Sequence, residues 1–281
     1  MKHREGRFTG AGGLELHFQG WAPEAAPRAA LALVHGVGEH AGRYGNLAGP
    51  LVDAGYAVYG YDQRGHGRSP GPRVHIDGWS EYRDDFGAFL ELVAEEAPAV
   101  PLVAYGHSMG SLVVLDYLLQ GSDGLSGAIV SGVALEPAGV GGPLLVVVAR
   151  VLSGVRPRQS LKLGIDASAL SRDPNVAAAY RVDPLVTSRA TVRWGTESLD
   201  TVARIKEGMD RMDLPLLVLH GEADQLNLVS GARALAAAQP AGSATLKVYP
   251  GVYHEPHNDF GHEQVAADVV EWLGRFVGAA A

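Results

Sequence analysis

The sequence predicts an α/β fold, with a mostly parallel central sheet flanked by helices, and three observations support this. Short apolar runs alternate with amphipathic segments along most of the chain, as in proteins whose strands are connected by covering helices. The run 29–34 is apolar at every position, which is typical of a strand buried on both faces. The 281 residues are 47% hydrophobic and 19% charged, which suits a globular protein with a large core.

The first element is expected at 14–18, where apolar and polar residues alternate as in an antiparallel edge strand. Further strands are expected at 29–34 and 101–105, both apolar and buried, and at 57–61, 128–130, 216–219 and 245–249. Helices are expected at 43–54, where Gly55 ends the helix, and at 79–93, 111–119, 230–238 and 265–276. Functional residues of such folds lie at the carboxyl ends of the strands.

The segment 136–213 interrupts this alternation and contains helical patches but no comparable strand. It therefore predicts a helical lid, inserted between two parts of one core, residues 1–135 and 214–281. Residues 137–149 carry no charge, and Pro143 is suited to the first turn of a helix. This apolar helix either packs on the core or forms a rim that contacts an apolar ligand or a lipid surface.

The composition excludes several functions. The formal net charge is −8 and no basic block occurs, so nucleic acid is not an expected partner. The absence of cysteine excludes disulfides, thiolate zinc sites and cysteine nucleophiles. His254 and His257 lie close together, but no carboxylate–histidine set with ligand spacing surrounds them, so no metal site is predicted.

The start of the chain is basic but has no apolar core behind it, which does not fit a signal peptide. No apolar run reaches the roughly 18 residues that a membrane-spanning helix needs. From these two observations we expect a soluble cytoplasmic protein.

The most informative motif is Gly106-His107-Ser108-Met109-Gly110, which has the pattern G-x-S-x-G. A predicted strand precedes it and a predicted helix follows it. A serine at such a strand-to-helix turn has a strained backbone and an exposed hydroxyl. The context predicts that Ser108 is a nucleophile, whereas the side chain of its neighbour His107 is expected to pack in the core.

A serine hydroxyl needs an adjacent base to act as a nucleophile. In this topology the acid and the base follow the last two strands, in the chain order Ser, Asp, His. Asp224 comes after the strand at 216–219, and His254 comes after the strand at 245–249. Asp224 would hold the imidazole in its productive tautomer. Glu222 is the nearest rival for this role, while Asp213 lies at the wrong end of its strand.

The reaction also needs two N–H donors for the oxygen that becomes negative in the transition state. One is predicted to be the backbone N–H of Met109, at the start of the helix, where amides lack helical partners. The other is expected in the loop after the strand 29–34, and we assign it to the backbone N–H of Val37.

With the segment 35–36, the motif 106–110, Asp224 and His254 in this order, the chain resembles the α/β-hydrolase superfamily. Further motifs resemble those of its monoacylglycerol lipases. The segment 35–40 matches their HG-x-GEH pattern, and 62–69 matches D-x-RGHG-x-S. The segments 171–174 and 183–186 read SRDP and DPLV, as in bacterial members. The segment 250–255 matches PG-x-YHE. The matches span almost the whole chain.

The resemblance implies cofactor-free hydrolysis of monoacylglycerols to glycerol and a fatty acid through an acyl-enzyme. It also implies a lid that helps to bind lipid and makes transient contact with a membrane or micelle surface. By motif position, Glu39, Arg43 and His257 would hold the glycerol hydroxyls or line the polar end of the pocket. An ion pair at the start of a helix is an equally good interpretation of Glu39 and Arg43.

Two other interpretations stay open. The same triad would serve a broader carboxylesterase, lysophospholipase or thioesterase. A non-catalytic hydrolase-like binding protein is the second alternative, although such proteins usually lack a member of the triad and here all three positions are filled. The sequence gives no indication of the oligomeric state.

Overall fold

The computed structural model describes residues 1–139 and 142–277. The strands of this part are β1 (Lys2–Thr9), β2 (Glu15–Ala22), β3 (Ala30–Val34), β4 (Ala57–Tyr61), β5 (Leu102–His107), β6 (Gly127–Ser131), β7 (Ser160–Lys162), β8 (Arg189–Thr191), β9 (Leu216–Gly221) and β10 (Ala244–Tyr249). The helices are α1 (Gly45–Asp53), α2 (Ser80–Glu96), α3 (Met109–Leu118), α4 (Pro143–Val155), α5 (Pro174–Val182), α6 (Val192–Gly208), α7 (Val229–Ala238) and α8 (His262–Leu273).

Eight of the strands form one sheet in the order β1-β2-β4-β3-β5-β6-β9-β10. The strands from β4 to β10 in this order pair in parallel. Strand β2 pairs antiparallel with both of its neighbours, β1 and β4. The prediction of a mostly parallel sheet is confirmed. The prediction that 14–18 is the edge strand is wrong, because β1 pairs along the outer side of β2.

Helices cover both faces of the sheet, as predicted. In β3 the residues Leu31 and Leu33 pack in one core with α1 and α8. Their neighbours Ala30, Ala32 and Val34 face the opposite core, which contains α2, α3 and α7. Burial on both faces explains why β3 is apolar at every position.

The segment between β6 and β9 contains α4, α5 and α6, so it is mainly helical, as expected. It also contains the strands β7 and β8, which form a separate antiparallel pair of three residues each. The sequence did not indicate these strands, because such short elements show no alternation. Helix α4 begins at Pro143. No helix in the described ranges is long and apolar enough to cross a membrane.

Candidate active site

Ser108 lies at the sharp turn between β5 and α3, as predicted. Its backbone has φ 52° and ψ −118°. Residues other than glycine rarely adopt this conformation. A Cβ at Gly106 would overlap the Gly110 carbonyl, and one at Gly110 would overlap the Val34 carbonyl. The two glycines of the motif therefore allow the strand and the helix to meet closely at Ser108.

His254 and Asp224 are in direct contact. His254 Nδ1 lies 2.8 Å from Asp224 Oδ2, and Asp224 Oδ1 accepts the N–H groups of Leu226 and Asn227 at 2.8 and 3.0 Å. Burial would raise the pKa of Asp224, but the charge of His254 and these hydrogen bonds outweigh it and hold the pKa far below its ordinary value. Burial lowers the pKa of His254, but the Asp224 carboxylate prevails and raises it. The carboxylate is therefore ionised and stabilises a protonated imidazole.

The other two carboxylates that the sequence offered for this role lie elsewhere. Glu222 is exposed, and its carboxylate is 3.9 Å from Arg233. Asp213 is also exposed and precedes β9, at the end of the sheet away from His254. Of the three carboxylates, Asp224 is the one placed against His254.

A further histidine, His220, contacts the same carboxylate. The N–H of Val133 donates to His220 Nδ1 at 3.1 Å, so in the neutral ring the proton is on Nε2. That atom lies 2.9 Å from the carbonyl of Asn227 and 3.2 Å from Asp224 Oδ2. From its position just before the loop of Asp224, His220 is expected to be a structural residue, and the contact with Asp224 adds a role beside the acid.

Ser108 and His254 line the same cavity, whose volume is about 450 Å³. Among the described residues, Ser108 Oγ makes no hydrogen bond to a side chain. Catalytic serine–histidine hydrogen bonds often become fully formed only when substrate is bound. The hydroxyl and the imidazole thus border one cavity, and the Asp224 carboxylate contacts the imidazole through Nδ1.

Val37 and Met109 also line this cavity, and their backbone N–H groups donate to no other described residue. His35 fixes the direction of one of them. The Gln63 N–H donates to His35 Nε2 at 3.0 Å, so Nδ1–H donates to the Gly36 carbonyl at 2.7 Å. This carbonyl and the Val37 N–H belong to one planar trans peptide and point in opposite directions. Burial lowers the pKa of His35, which keeps the ring neutral.

A polar cluster lies next to Ser108. Arg43 donates to both carboxylate oxygens of Glu255 at 2.7 and 2.8 Å and also to Glu39 Oε2. Glu39 Oε1 accepts the hydroxyl of Tyr44 at 2.8 Å. Glu39, Tyr44 and Glu255 are buried, and the Arg43 side chain is 10% exposed. Glu39, Arg43 and Glu255 line a small cavity of about 20 Å³ together with Ser108. The predicted ion pair of Glu39 and Arg43 is present, with Glu255 as a second carboxylate that the sequence analysis did not single out.

His257, in contrast, lies behind this cluster. Its ring stacks on Tyr44 with centroids 4.5 Å apart and meets His107 at 4.8 Å. It is 1% exposed and lines neither of the two cavities at Ser108. Burial lowers the pKa of His257 to about 4. The structure does not bring this residue to the cavity wall, so the expected contact of its side chain with glycerol is not available in this arrangement.

Most of the larger cavity is apolar, and much of its wall comes from the insertion. The apolar lining includes Leu112, Leu145, Ile165, Trp194 and Leu226. This lining suits an extended apolar group, and Ser108 borders both this cavity and the small cavity of the polar cluster.

The fold and this site define an α/β-hydrolase enzyme with a serine at the nucleophile turn. A protein-family profile described as serine aminopeptidase, S33, matches residues 25–260. A monoacylglycerol lipase from Mycolicibacterium smegmatis is 38% identical over 96% of each chain. Mouse monoglyceride lipase is 32% identical over 97% of this chain and 91% of its own. The chain belongs to the monoacylglycerol lipase family of α/β-hydrolases.

Solved structures agree with this assignment. The crystal structure of a Paleococcus ferrophilus monoacylglycerol lipase superposes with a TM-score of 0.81 at 31% identity, over 98% of this chain and 100% of that one. A soluble variant of the Saccharomyces cerevisiae monoglyceride lipase, solved with a substrate analogue, has a TM-score of 0.87 over 97% and 95% of the two chains. At 24% identity the second likeness concerns the fold.

Proposed function

We propose that this protein hydrolyses monoacylglycerols to glycerol and a free fatty acid through an acyl-enzyme on Ser108. One observation carries the proposal: Ser108 and His254 line both a mostly apolar cavity that suits an acyl chain and the small cavity of the Glu39–Arg43–Glu255 cluster, and Asp224 contacts His254. The identity to named monoacylglycerol lipases over nearly the whole chain supports this substrate class.

In the first half of the reaction, His254 Nε2 takes the proton of Ser108 as Oγ attacks the ester carbonyl carbon. The carbonyl oxygen becomes negative and accepts the N–H groups of Val37 and Met109. When the carbon–oxygen bond to glycerol breaks, His254 returns its proton to the leaving oxygen. Asp224 stays ionised throughout and stabilises the imidazolium.

In the second half, His254 takes a proton from water, and the resulting hydroxide attacks the acyl carbon. The bond to Ser108 Oγ then breaks, Oγ regains its proton from His254, and the fatty acid leaves. Both halves use the same two oxyanion donors, so the protein needs no cofactor for this chemistry.

For the glycerol end we propose that Glu39 and Arg43 contact the hydroxyls. Both line the small cavity at Ser108, and their ion pair leaves part of their hydrogen-bonding capacity free. Glu255 belongs to the same group because it holds Arg43 from the other side. An acyl ester with a polar head fits this combination of an apolar and a charged wall.

We further propose that residues 136–213 act as a lid over the core formed by 1–135 and 214–281, and that the lid touches membrane or micelle surfaces. Helix α4 presents a cavity-lining face that includes Leu145, Val146 and Ala149. Its other face is apolar and exposed, with Leu144, Val148, Val151 and Val155 between 52% and 78% accessible. A helix with one apolar face at the cavity and another at the surface suits transfer of a lipid from a membrane or micelle into the cavity.

A substrate panel tests the proposed function. Purified protein is assayed with 1-monooleoylglycerol, a p-nitrophenyl ester, a lysophospholipid and triolein, and Ser108→Ala serves as the matched control. We expect 1-monooleoylglycerol to have the highest kcat/KM and the control to be inactive. A clear preference for the simple ester or the lysophospholipid would indicate a broader esterase or lysophospholipase. Failure of the wild type to react with a fluorophosphonate would indicate a binding protein.

A further inference from the structure

The insertion touches the predicted oxyanion loop, residues 35–40, at two points. His40 Nε2 lies 2.9 Å from Asp183 Oδ2, and the Thr187 N–H donates to the Gly38 carbonyl at 2.8 Å. Asp183 is the first residue of the DPLV motif, and His40 is the last residue of the HG-x-GEH motif. Two motifs that lie far apart in the chain therefore meet at one contact.

The His40–Asp183 contact is directional. The Gly42 N–H donates to His40 Nδ1 at 3.2 Å, so in the neutral ring the proton is on Nε2 and points at Asp183. The other carboxylate oxygen, Asp183 Oδ1, accepts the Leu185 N–H at 2.8 Å. The side chains of His40 and Asp183 are 11% and 25% exposed. A backbone N–H of the neighbouring chain segment thus orients each of the two side chains. The hydrogen bond between them fixes the distance between the oxyanion loop and the insertion.

The second point is a direct approach of two backbones. Gly38 has φ 76°, and a Cβ at this position would overlap the Thr187 carbonyl oxygen. Glycine is therefore needed here for two reasons: φ is positive, and there is no room for a side chain. With no side chain between them, a displacement of the insertion is transmitted directly to the loop.

Along the oxyanion loop, Val37 lies between residues that are tied to the core and residues that are tied to the insertion. On one side, Gln63 donates its backbone N–H to His35 Nε2 at 3.0 Å and its side-chain amide to the His35 carbonyl at 2.7 Å, which ties the loop to the core. On the other side, Gly38 and His40 are tied to the insertion. We propose that Asp183, through His40, is a positioning residue that sets the Val37 N–H for the oxyanion. This inference rests on the proposed function, and it gives the insertion a role in the chemistry beyond covering the cavity.

A second tie of the insertion provides a matched control. Arg172 donates to Asp259 Oδ1 at 2.9 Å, and Asp259 Oδ2 accepts the Tyr253 N–H at 2.8 Å, next to His254. This pair joins the insertion to the loop of the base rather than to the oxyanion loop. Loss of Arg172 therefore loosens the insertion without acting on Val37.

The test compares an ester with its thiono analogue, for example p-nitrophenyl butyrate and the compound in which sulfur replaces the carbonyl oxygen. Sulfur accepts hydrogen bonds weakly, so a well-placed oxyanion donor favours the oxygen ester, and a displaced donor loses this preference. A loss of folded or active protein lowers both rates equally and leaves their ratio unchanged. The ratio thus reports on the oxyanion donors alone.

For Asp183→Ala we expect kcat for the oxygen ester to fall by about tenfold, a part of the 10²–10³ that a whole oxyanion donor contributes. KM should change less than twofold, and the oxygen-to-sulfur ratio should fall severalfold. Asp183→Asn should retain most of the ratio, because its amide oxygen can accept the His40 N–H. His40→Phe, which keeps a ring but has no N–H, should reproduce the effect of Asp183→Ala. Arg172→Leu should leave the ratio at the wild-type value.

The outcomes separate the two proposals. If the wild type hydrolyses neither the ester nor 1-monooleoylglycerol, the proposed function fails. If the wild type is active and prefers the oxygen ester, but Asp183→Ala and His40→Phe keep its ratio, the inference about Asp183 is overturned. It is also overturned if Arg172→Leu lowers the ratio to the same extent, since the effect would then come from a general loosening of the insertion. Melting temperatures measured for each variant identify any that are unfolded, and His40→Phe keeps the comparison available if Asp183→Ala is one of them.

Discussion

His254 Nδ1 lies 2.8 Å from Asp224 Oδ2, and the ring of His220 approaches the same oxygen to 3.2 Å. Two imidazoles therefore converge on one buried carboxylate oxygen. Because a carboxylate accepts hydrogen bonds best when it is ionised, both contacts favour the charged form of Asp224. This arrangement explains the direction of both pKa shifts in the pair and leads to the first three predictions.

Asp224→Asn should lower kcat by about 10⁴, the scale observed when a catalytic histidine is held in the wrong tautomer. The amide is similar in size to the carboxylate, so the fold should be retained. Glu222→Gln is the matched control, since Glu222 is exposed and lies away from His254. Steady-state kinetics with 1-monooleoylglycerol measures both. A large loss for Glu222→Gln with an active Asp224→Asn would reverse the assignment of the acid.

The pH dependence of kcat/KM should show the raised pKa of His254. His254 must be neutral to accept the Ser108 proton, so activity should decrease as pH falls through a value above the ordinary histidine pKa of about 6.5. Asp224, whose pKa is lowered, stays ionised over this range. A profile of kcat/KM from pH 5 to pH 9 measures the midpoint. Constant activity across that range would argue against His254 as the base.

His220→Leu should change both stability and the acidic limb of this profile. It leaves the buried N–H of Val133 without its acceptor, which costs about 1–3 kcal/mol in the free energy of unfolding. It also removes an N–H near Asp224 Oδ2, so the carboxylate becomes more basic and the kinetic pKa of His254 should rise. Urea denaturation and the pH profile measure the two effects. An unshifted acidic limb would restrict His220 to a packing role.

The sequence predicted much of this site because local patterns encode it. Ser108, Asp224 and His254 each follow a strand, and strand ends are easy to recognise. The outer strand β1 was missed because most of its residues are exposed and polar, so burial leaves no alternation there. Glu255 was missed for a different reason. Its partner Arg43 lies 212 residues away, and no local pattern reveals a contact over that separation.

Arg43→Leu should destabilise the fold strongly, because it leaves Glu39 and Glu255 buried without their cation. Removing one partner of a buried ion pair typically costs about 3–5 kcal/mol. Burial alone would raise the pKa of Glu39, but the charge of Arg43 lowers it in the wild type. A lowered pKa stabilises the fold above the unfolded-state value of about 4.3. The deficit of the variant should therefore be largest near neutral pH and shrink as the carboxylates become protonated.

Chemical denaturation of the wild type, Arg43→Leu and Arg43→Lys at two pH values tests this. Lysine keeps the charge but cannot form the bidentate pair with Glu255, so Arg43→Lys should lie between the other two proteins. Equal stability of all three at neutral pH would show that the cluster contributes little to the fold.

The exposed face of α4 should determine binding to lipid surfaces. Leu144 and Val151 lie seven residues apart on this face and are 78% and 64% exposed, so replacing both with serine should leave the folded protein intact. Each side chain buried in a lipid interface contributes roughly 1 kcal/mol or more, so the double variant should bind phospholipid vesicles at least tenfold more weakly.

Val182→Ser, which changes an 80% exposed residue of α5, is the matched control. Turnover of a water-soluble short-chain ester should be unchanged, because this face points away from the cavity. If the double variant co-sediments with vesicles as well as the wild type does, or if Val182→Ser weakens binding equally, α4 is not the contact surface.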